Sequence, residues 1–160
     1  VTVYDAKQHS DDLLAHVGRV QDNARQLADR LRADGRADFA RLLLAKAHIH
    51  DASKWAGIEY EFMHRGPHVD KVMLGAAIAQ HQKTNDHHPE FWGGLRNMPE
   101  ICVAEMVCDW LARSQELATD LRVFVTTVAP ERFAFDTAPT QVAWIESFIK
   151  ILLPQKFANR

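Results

Sequence analysis

The chain has 160 residues, of which 47% are hydrophobic and 25% charged, with a formal net charge of −2. That length suits one domain with a real core, and the near-neutral balance gives no bulk attraction to nucleic acid or to an anionic membrane. The apolar runs are far too short to span a bilayer, and the polar, charged start carries no visible signal peptide, so a cytoplasmic protein is expected. Cys102 and Cys108 lie six apart on one predicted helix, where their side chains diverge, so a disulfide between them is not expected. Nine histidines against two tyrosines direct attention to metal chemistry.

Nearly the whole chain reads as helix. Ser10 is placed as the cap of a first helix, with Asp11 and Asp12 in its first turn. Leu13, Val17, Val20, Ala24, Leu27 and Leu31 follow as one apolar stripe, with His16 beside it, and Asp34-Gly35 ends the helix. A second helix begins near Ala37 and buries Phe39, Leu42, Leu43, Ala47 and His50, whereas Lys46 and His48 point elsewhere. A short helix over 58–65 is closed by Gly66-Pro67. A third long helix from about Val69 to Gln82 turns Leu74, Ala77, Ile78 and His81 inward. Residues 83–98 form a polar loop, of the length that in compact domains often carries function. Pro99 opens the next helix, whose face is Val103, Met106, Val107, Trp110 and Leu117, with Asp109 on its flank and Glu105 one turn earlier. Leu121 to Val128 is read as helix despite its β-branched residues. Thr137-Ala138-Pro139 starts a last helix that buries Val142, Ile145, Phe148, Ile149 and Leu152 and stops at Pro154. The fold expected is a single-domain, all-α bundle of about six to seven helices spanning residues 1–160.

Taken alone, a histidine on an apolar face is more often a hydrogen-bonded core residue than a ligand. The adjacent pair His50-Asp51 reverses that balance, because a buried carboxylate needs a partner or a metal. Four helices each place potential ligands on or beside a buried face, which is how bundles build metal sites. His16, His50, Asp51 and Asp109 are the expected ligands of a first divalent ion, with Asp51 also at the centre of the chemistry. His81, with His87 or His88, would complete a second position, and the remaining histidine of that pair would face substrate. Lys54, one turn past His50-Asp51, is expected to neutralise a phosphate oxygen or hold the nucleophile. Glu59 is expected to orient a water or a ligand histidine. Trp55 and Trp92 are candidates for a pocket wall, and Arg113 for a clamp on an anionic substrate. His9, His48, His64 and His68 are read as uninvolved, with His64 and His68 in reserve.

The order His16, His50-Asp51, Asp109 on successive helices resembles the HD-domain metal-dependent phosphohydrolase superfamily, and His50-Asp51-Ala52-Ser53-Lys54 is similar to its His-Asp-x-x-Lys element. The stretch from His81 through His87-His88-Pro89-Glu90-Phe91-Trp92, then Met98-Pro99-Glu100 and Glu105 to Trp110, resembles a narrower group of phage and bacterial proteins without an assigned activity. The likeness covers roughly residues 10–118. It implies an HD-like all-α fold, a divalent ion on His16, His50, Asp51 and Asp109, a second ion in the histidine-rich branches, and a bacterial or phage-infected cell as the setting. One departure stands out: His81 and His87 are six residues apart, whereas the two middle histidines of two-metal branches usually come from well-separated helices.

These observations lead to a metal-dependent hydrolase that cleaves a phosphoester in a nucleotide or another small phosphorylated metabolite through a metal-activated water. One or two ions are expected, with manganese, iron, zinc, magnesium and nickel not distinguished by the ligands. The same ligands also suit a diiron oxygenase of HD type, and a third alternative is a non-catalytic, metal-containing binding or regulatory module. The expected partner is a small phosphorylated molecule, with no membrane and no strong nucleic-acid signal, and the paired helices would suit a homodimer.

Overall fold

The computed structural model describes residues 6–64 and 69–154, and these form an all-α bundle of eight α-helices with no strand among the described residues. The helices are α1 (Ala6–Ala33), α2 (Ala37–His48), α3 (Gly57–Phe62), α4 (Lys71–Thr84), α5 (Glu100–Leu117), α6 (Leu121–Thr127), α7 (Ala129–Arg132) and α8 (Pro139–Leu152). Short 3-10 turns at Ala52–Trp55, Pro89–Trp92, Leu95–Asn97 and Phe135–Thr137 link them. Gly66-Pro67 and His68 lie outside the described residues.

Helix α1 begins a turn earlier than the Ser10 cap implies. Ser10 sits inside the helix and its hydroxyl lies 3.0 Å from that of Tyr60, a tertiary contact that replaces the local capping bond. The other end is as expected. Gly35 takes φ +82°, and the Arg36 amide then donates to the Leu31 carbonyl at 2.8 Å, which turns the chain back into α2.

Helix α5 is the central element. Every residue from Cys102 to Cys108 is buried, so this helix is covered on all sides rather than on one stripe. Val20, Ala24, Leu27 and Leu31 of α1, Leu43 of α2, Val103, Met106 and Val107 of α5, and Ile145 and Phe148 of α8 share one core. Phe39 stacks on Phe148 with ring centroids 6.2 Å apart. Three expected core positions are instead exposed: Leu42, Ile78 and Leu117. Leu42 and Ile78 adjoin inward residues, but each of α2 and α4 packs through a narrower face than the sequence pattern implies. Leu117 lies in the last turn of α5, beyond the covered part of that helix.

The polar loop is ordered by packing at its far end and hydrogen bonds at its near end. Leu95 and Met98 are buried in the main core, and Trp92 packs against it while its indole N–H donates to the Asp86 carbonyl at 2.8 Å. Trp92 is therefore a structural anchor and not a pocket wall. Asp70 caps α4, accepting from the Val72 and Met73 amides at 2.9 and 3.1 Å, so that helix starts two residues later than expected. No helix among the described residues is long and apolar enough to cross a membrane.

Candidate metal centre

Five histidines and two aspartates converge beside the core, and one backbone feature makes this possible. Helix α2 ends at His48, and Asp51 then adopts φ +58°, ψ +21°, a left-handed conformation that costs a non-glycine residue about 1–2 kcal/mol. The reversal sends the Asp51 carboxylate to the same point as the His50 ring. Asp51 is 1% exposed, so its charge is almost wholly removed from water.

The two oxygens of Asp51 face different ligand sets. Oδ2 lies 3.5 Å from His16 Nε2 and 3.6 Å from His50 Nε2. Asp109 Oδ1 closes this side, 3.1 Å from His16 Nε2 and 3.9 Å from His50 Nε2. Oδ1 lies 3.2 Å from His81 Nε2 and 3.5 Å from His87 Nε2. The His88 ring completes that second side, with its centroid 4.8 Å from that of His81 and 4.3 Å from that of His87. One donor atom from each of His81, His87 and His88 lies within 4.8 Å of the others, and the same holds for His16, His50 and Asp51. The short spacing of His81 and His87 is thus no obstacle. His81 sits in the last turn of α4, and the chain folds back after Asn85 to bring both loop histidines over it.

The tautomers follow from the far nitrogens. His16 Nδ1 is 2.7 Å from Glu116 Oε1, His50 Nδ1 is 3.0 Å from Glu105 Oε1, and His81 Nδ1 is 2.8 Å from Glu59 Oε2. A carboxylate oxygen accepts, so these pairings favour the proton on Nδ1, and in such a neutral ring Nε2 presents a lone pair to the centre. The Nε2 atoms of His50, His81, His87 and His88, and Oδ1 of Asp51, are buried without a hydrogen-bond partner. Such a set of orphaned donor atoms around a carboxylate is costly unless something coordinates them. The donors are nitrogen and oxygen, a set that fits divalent transition metals and, on the oxygen-rich side, manganese or magnesium.

The electrostatics keep two of the rings on the second side neutral. Burial, followed by the His50 charge, drives the His87 pKa down to about 2. Burial and then His81 bring that of His88 to about 4. On the first side, burial opposes charge on His16 and His50, but nearby carboxylates outweigh it. Asp109 raises His16, and Asp51 with Glu105 raises His50, above the ordinary 6.5. Asp51 itself is held well below the usual carboxylate range: burial resists this, but His50, His81 and Lys54 prevail.

The remaining expected residues divide. Lys54 joins the centre, its Nζ donating to Asp51 Oδ2 at 2.6 Å. Glu59 is 1% exposed and touches the far nitrogen of His81, which makes it a support and sets it apart from the converging atoms. Ser53 donates to the same Glu59 oxygen at 2.6 Å and accepts from Asn85 at 2.9 Å. Arg113 is not turned towards the ligands. Its guanidinium donates to Glu116 Oε2 at 2.7 Å, behind His16, because it lies three residues from Glu116 on the same helix. Trp55 is exposed, and no described contact ties it to the ligands. His48 is exposed, while His9 packs its ring against Tyr60 and His64.

Sequence reasoning missed Glu105 and Glu116 as histidine partners, and Lys46 altogether. Lys46 does not point away. Its Nζ donates to both Asp86 oxygens, at 2.7 and 2.8 Å, and lies 3.1 Å from Glu105 Oε2. Its pKa rises to about 12 because Glu105 and Asp86 overcome the burial that opposes its charge. Asp86, His87 and Glu105 also converge, but the Lys46 ammonium already lies against both carboxylates there. The missed signal was spacing: Glu105, Asp109 and Glu116 recur at four and seven, one face of one helix.

The chain belongs to DUF5662, a family of unknown function, whose profile matches residues 5–151. No curated protein and no solved structure matches it.

Proposed function

We propose that this member of DUF5662 is a metal-dependent phosphohydrolase acting on a nucleotide or another small phosphorylated metabolite, with a two-ion centre. One observation carries the reading. A single buried carboxylate, Asp51, faces His16, His50 and Asp109 with one oxygen and His81 and His87 with the other, while buried imidazole lone pairs aim at both. The order of these residues along the chain, with Lys54 three after Asp51, supports membership of the HD-domain superfamily.

His16, His50, Asp51 and Asp109 would hold the first ion; Asp51, His81, His87 and His88 the second. When bound, such ions supply Lewis acidity and lower the pKa of water towards neutrality. The chain's own residues then do three things. Glu59, Glu105 and Glu116 fix the imidazoles in one tautomer and orientation. Lys54 holds a partly exposed positive charge beside Asp51, where a phosphoryl oxygen would gain most from it. The buried walls of α2 and α5 limit water around these charges, which strengthens each interaction.

A second reading draws on the five imidazoles. A histidine-rich pair of positions also suits iron, and hence a diiron oxygenase. The test is elemental mass spectrometry on protein purified without chelator, beside Asp51→Ala. It is followed by phosphate release from a panel of nucleotides and sugar phosphates. Two manganese, zinc, nickel or magnesium ions lost in the variant, with turnover on the panel, support the hydrolase. Two irons with substrate-dependent oxygen uptake replace it with the oxygenase. No metal after reconstitution removes both and leaves a binding module.

A further inference from the structure

The five histidines are not held alike. His16, His50 and His81 each give an Nδ1–H to a carboxylate within 3.0 Å. At its Nδ1, His87 has only Glu105 at 3.8 Å, beyond hydrogen-bond reach, and no described carboxylate pairs with His88. Their rings are aimed by the backbone that carries them, which is a loop and not a helix. Asn85 holds the start of that stretch, its side-chain amide donating to Ser53 and to the His81 carbonyl, and Asp86 ties the stretch to the rest of the bundle. Its side chain accepts twice from Lys46 on α2, at 2.7 and 2.8 Å, and its carbonyl accepts from the Trp92 indole at 2.8 Å. One residue thereby ties the segment bearing His87 and His88 to α2 on one side and to the start of the next 3-10 turn on the other.

We propose that Asp86 is a positioning residue that pins the His87-His88 segment against the bundle and thereby determines whether the protein carries one ion or two. This rests on the two-ion reading above. The first position does not depend on Asp86, because its ligands lie on α1, on α5 and at the end of α2. Their supports Glu105 and Glu116 are both on α5. Lys46 also lies 3.1 Å from Glu105 Oε2, a pairing that does not run through Asp86. The second position does depend on it, since neither His87 nor His88 has a side-chain hydrogen bond among the described residues to orient its ring. Loss of an outer partner of this kind lowers metal affinity by about 10- to 100-fold.

The test compares the parent, Asp86→Ala and Asp86→Glu, each stripped of metal and titrated with Co²⁺ by calorimetry and visible absorption. Amide hydrogen exchange of the metal-free proteins is measured in parallel. The parent should take up two ions. Asp86→Ala should keep the first at parental affinity and bind the second about 10-fold or more weakly. Exchange over residues 85–92 should speed up, with α2 and α5 unchanged. Asp86→Glu keeps a carboxylate within reach of Lys46 and should restore the second ion. Trp92→Phe removes only the indole donor and should shift the second affinity in the same direction, which covers a failure of Asp86→Ala to fold. Two ions at parental affinity in Asp86→Ala, or equal weakening of both positions, overturns the proposal while the two-ion reading stands. A parent that takes up no Co²⁺ overturns both.

Discussion

Replacing Glu59 by glutamine tests whether the carboxylates behind the histidines set the strength of the centre. Glu59 Oε2 accepts from His81 Nδ1 at 2.8 Å and from Ser53 at 2.6 Å, and the residue is 1% exposed. Both donors converge on one oxygen, so a glutamine carbonyl can take the same place, and the shape of the site is kept. What disappears is the negative charge. A hydrogen bond to a charged group contributes about 1.5–3 kcal/mol and a neutral one about half of that, so the two bonds weaken by about 1.5–3 kcal/mol together. The part of this felt by the ion is the lost basicity of His81, about 10- to 100-fold in affinity. Because His81 faces Oδ1 of Asp51, the loss should fall on the second position. Glu116→Gln is the mirror experiment, since Glu116 supports His16 on the Oδ2 side. Calorimetric titration of both metal-free variants with Mn²⁺ or Co²⁺ separates the positions. The reasoning fails if Glu59→Gln leaves both affinities at parental values, or if the two variants weaken the same position.

Four further outcomes are expected. Asp51→Asn should bind neither ion while remaining folded, because asparagine tolerates the left-handed backbone at φ +58°; circular dichroism and elemental analysis would decide this. Asp51→Ala should lose the ions as well but melt lower than Asp51→Asn, by the cost of forcing alanine into that conformation. Acidification should strip the first position more steeply than the second. The His16 and His50 pKa values are raised above 6.5, so as pH falls through them protons occupy the rings and an ion must displace them. His87 and His88, at about 2 and about 4, add no proton competition there. Metal titrations at a series of pH values between about 8 and 6 would show equal slopes if this is wrong. Phe148→Ala removes a ring that is 1% exposed and stacked on Phe39, and should cost about 3–5 kcal/mol in denaturant unfolding.

The helices were legible where one face alone is buried. In α1 and α8 the apolar spacing identifies the inward residues, and the ends follow from Gly35 and Pro139, whose backbone requirements are local. The pattern misleads at Ser10, because a capping serine and a serine reaching Tyr60 across the bundle look the same in sequence. It misleads again at Leu42 and Ile78, since the width of the buried face depends on how many neighbours a helix has. Helix α5 is the opposite case. Its continuous burial from Cys102 to Cys108 comes from being surrounded, a tertiary fact that no periodicity records.

The same division explains what could be read of the centre. All seven expected ligands converge, because each announces itself by residue type on an inward face or in the polar loop. Their supports do not. Glu105 and Glu116 look like ordinary surface acids, and Lys46 like an ordinary surface lysine, until the partner elements are in place. Yet the chemistry demands them. An imidazole that presents Nε2 to a cation must give its Nδ1 proton to something, and a buried ring cannot give it to water. Three of the five histidines meet that demand with carboxylates, which places three negative charges directly behind the ligands in addition to Asp51 and Asp109. Lys46, Lys54 and Arg113 each sit against one of these five acids, so the positive side chains are also part of the centre. Lys54 differs from the other two. Lys46 and Arg113 sit against acids that stand behind histidines, whereas Lys54 contacts Asp51 itself, the residue that both proposed positions would share. An entering ion would compete with its ammonium for Oδ2, freeing a positive charge at the edge of the site for an anionic substrate. Lys54→Met should therefore leave metal content intact and raise KM for a phosphorylated substrate more than it lowers kcat. A variant that loses its ions instead would show that Lys54 serves to hold Asp51 in place.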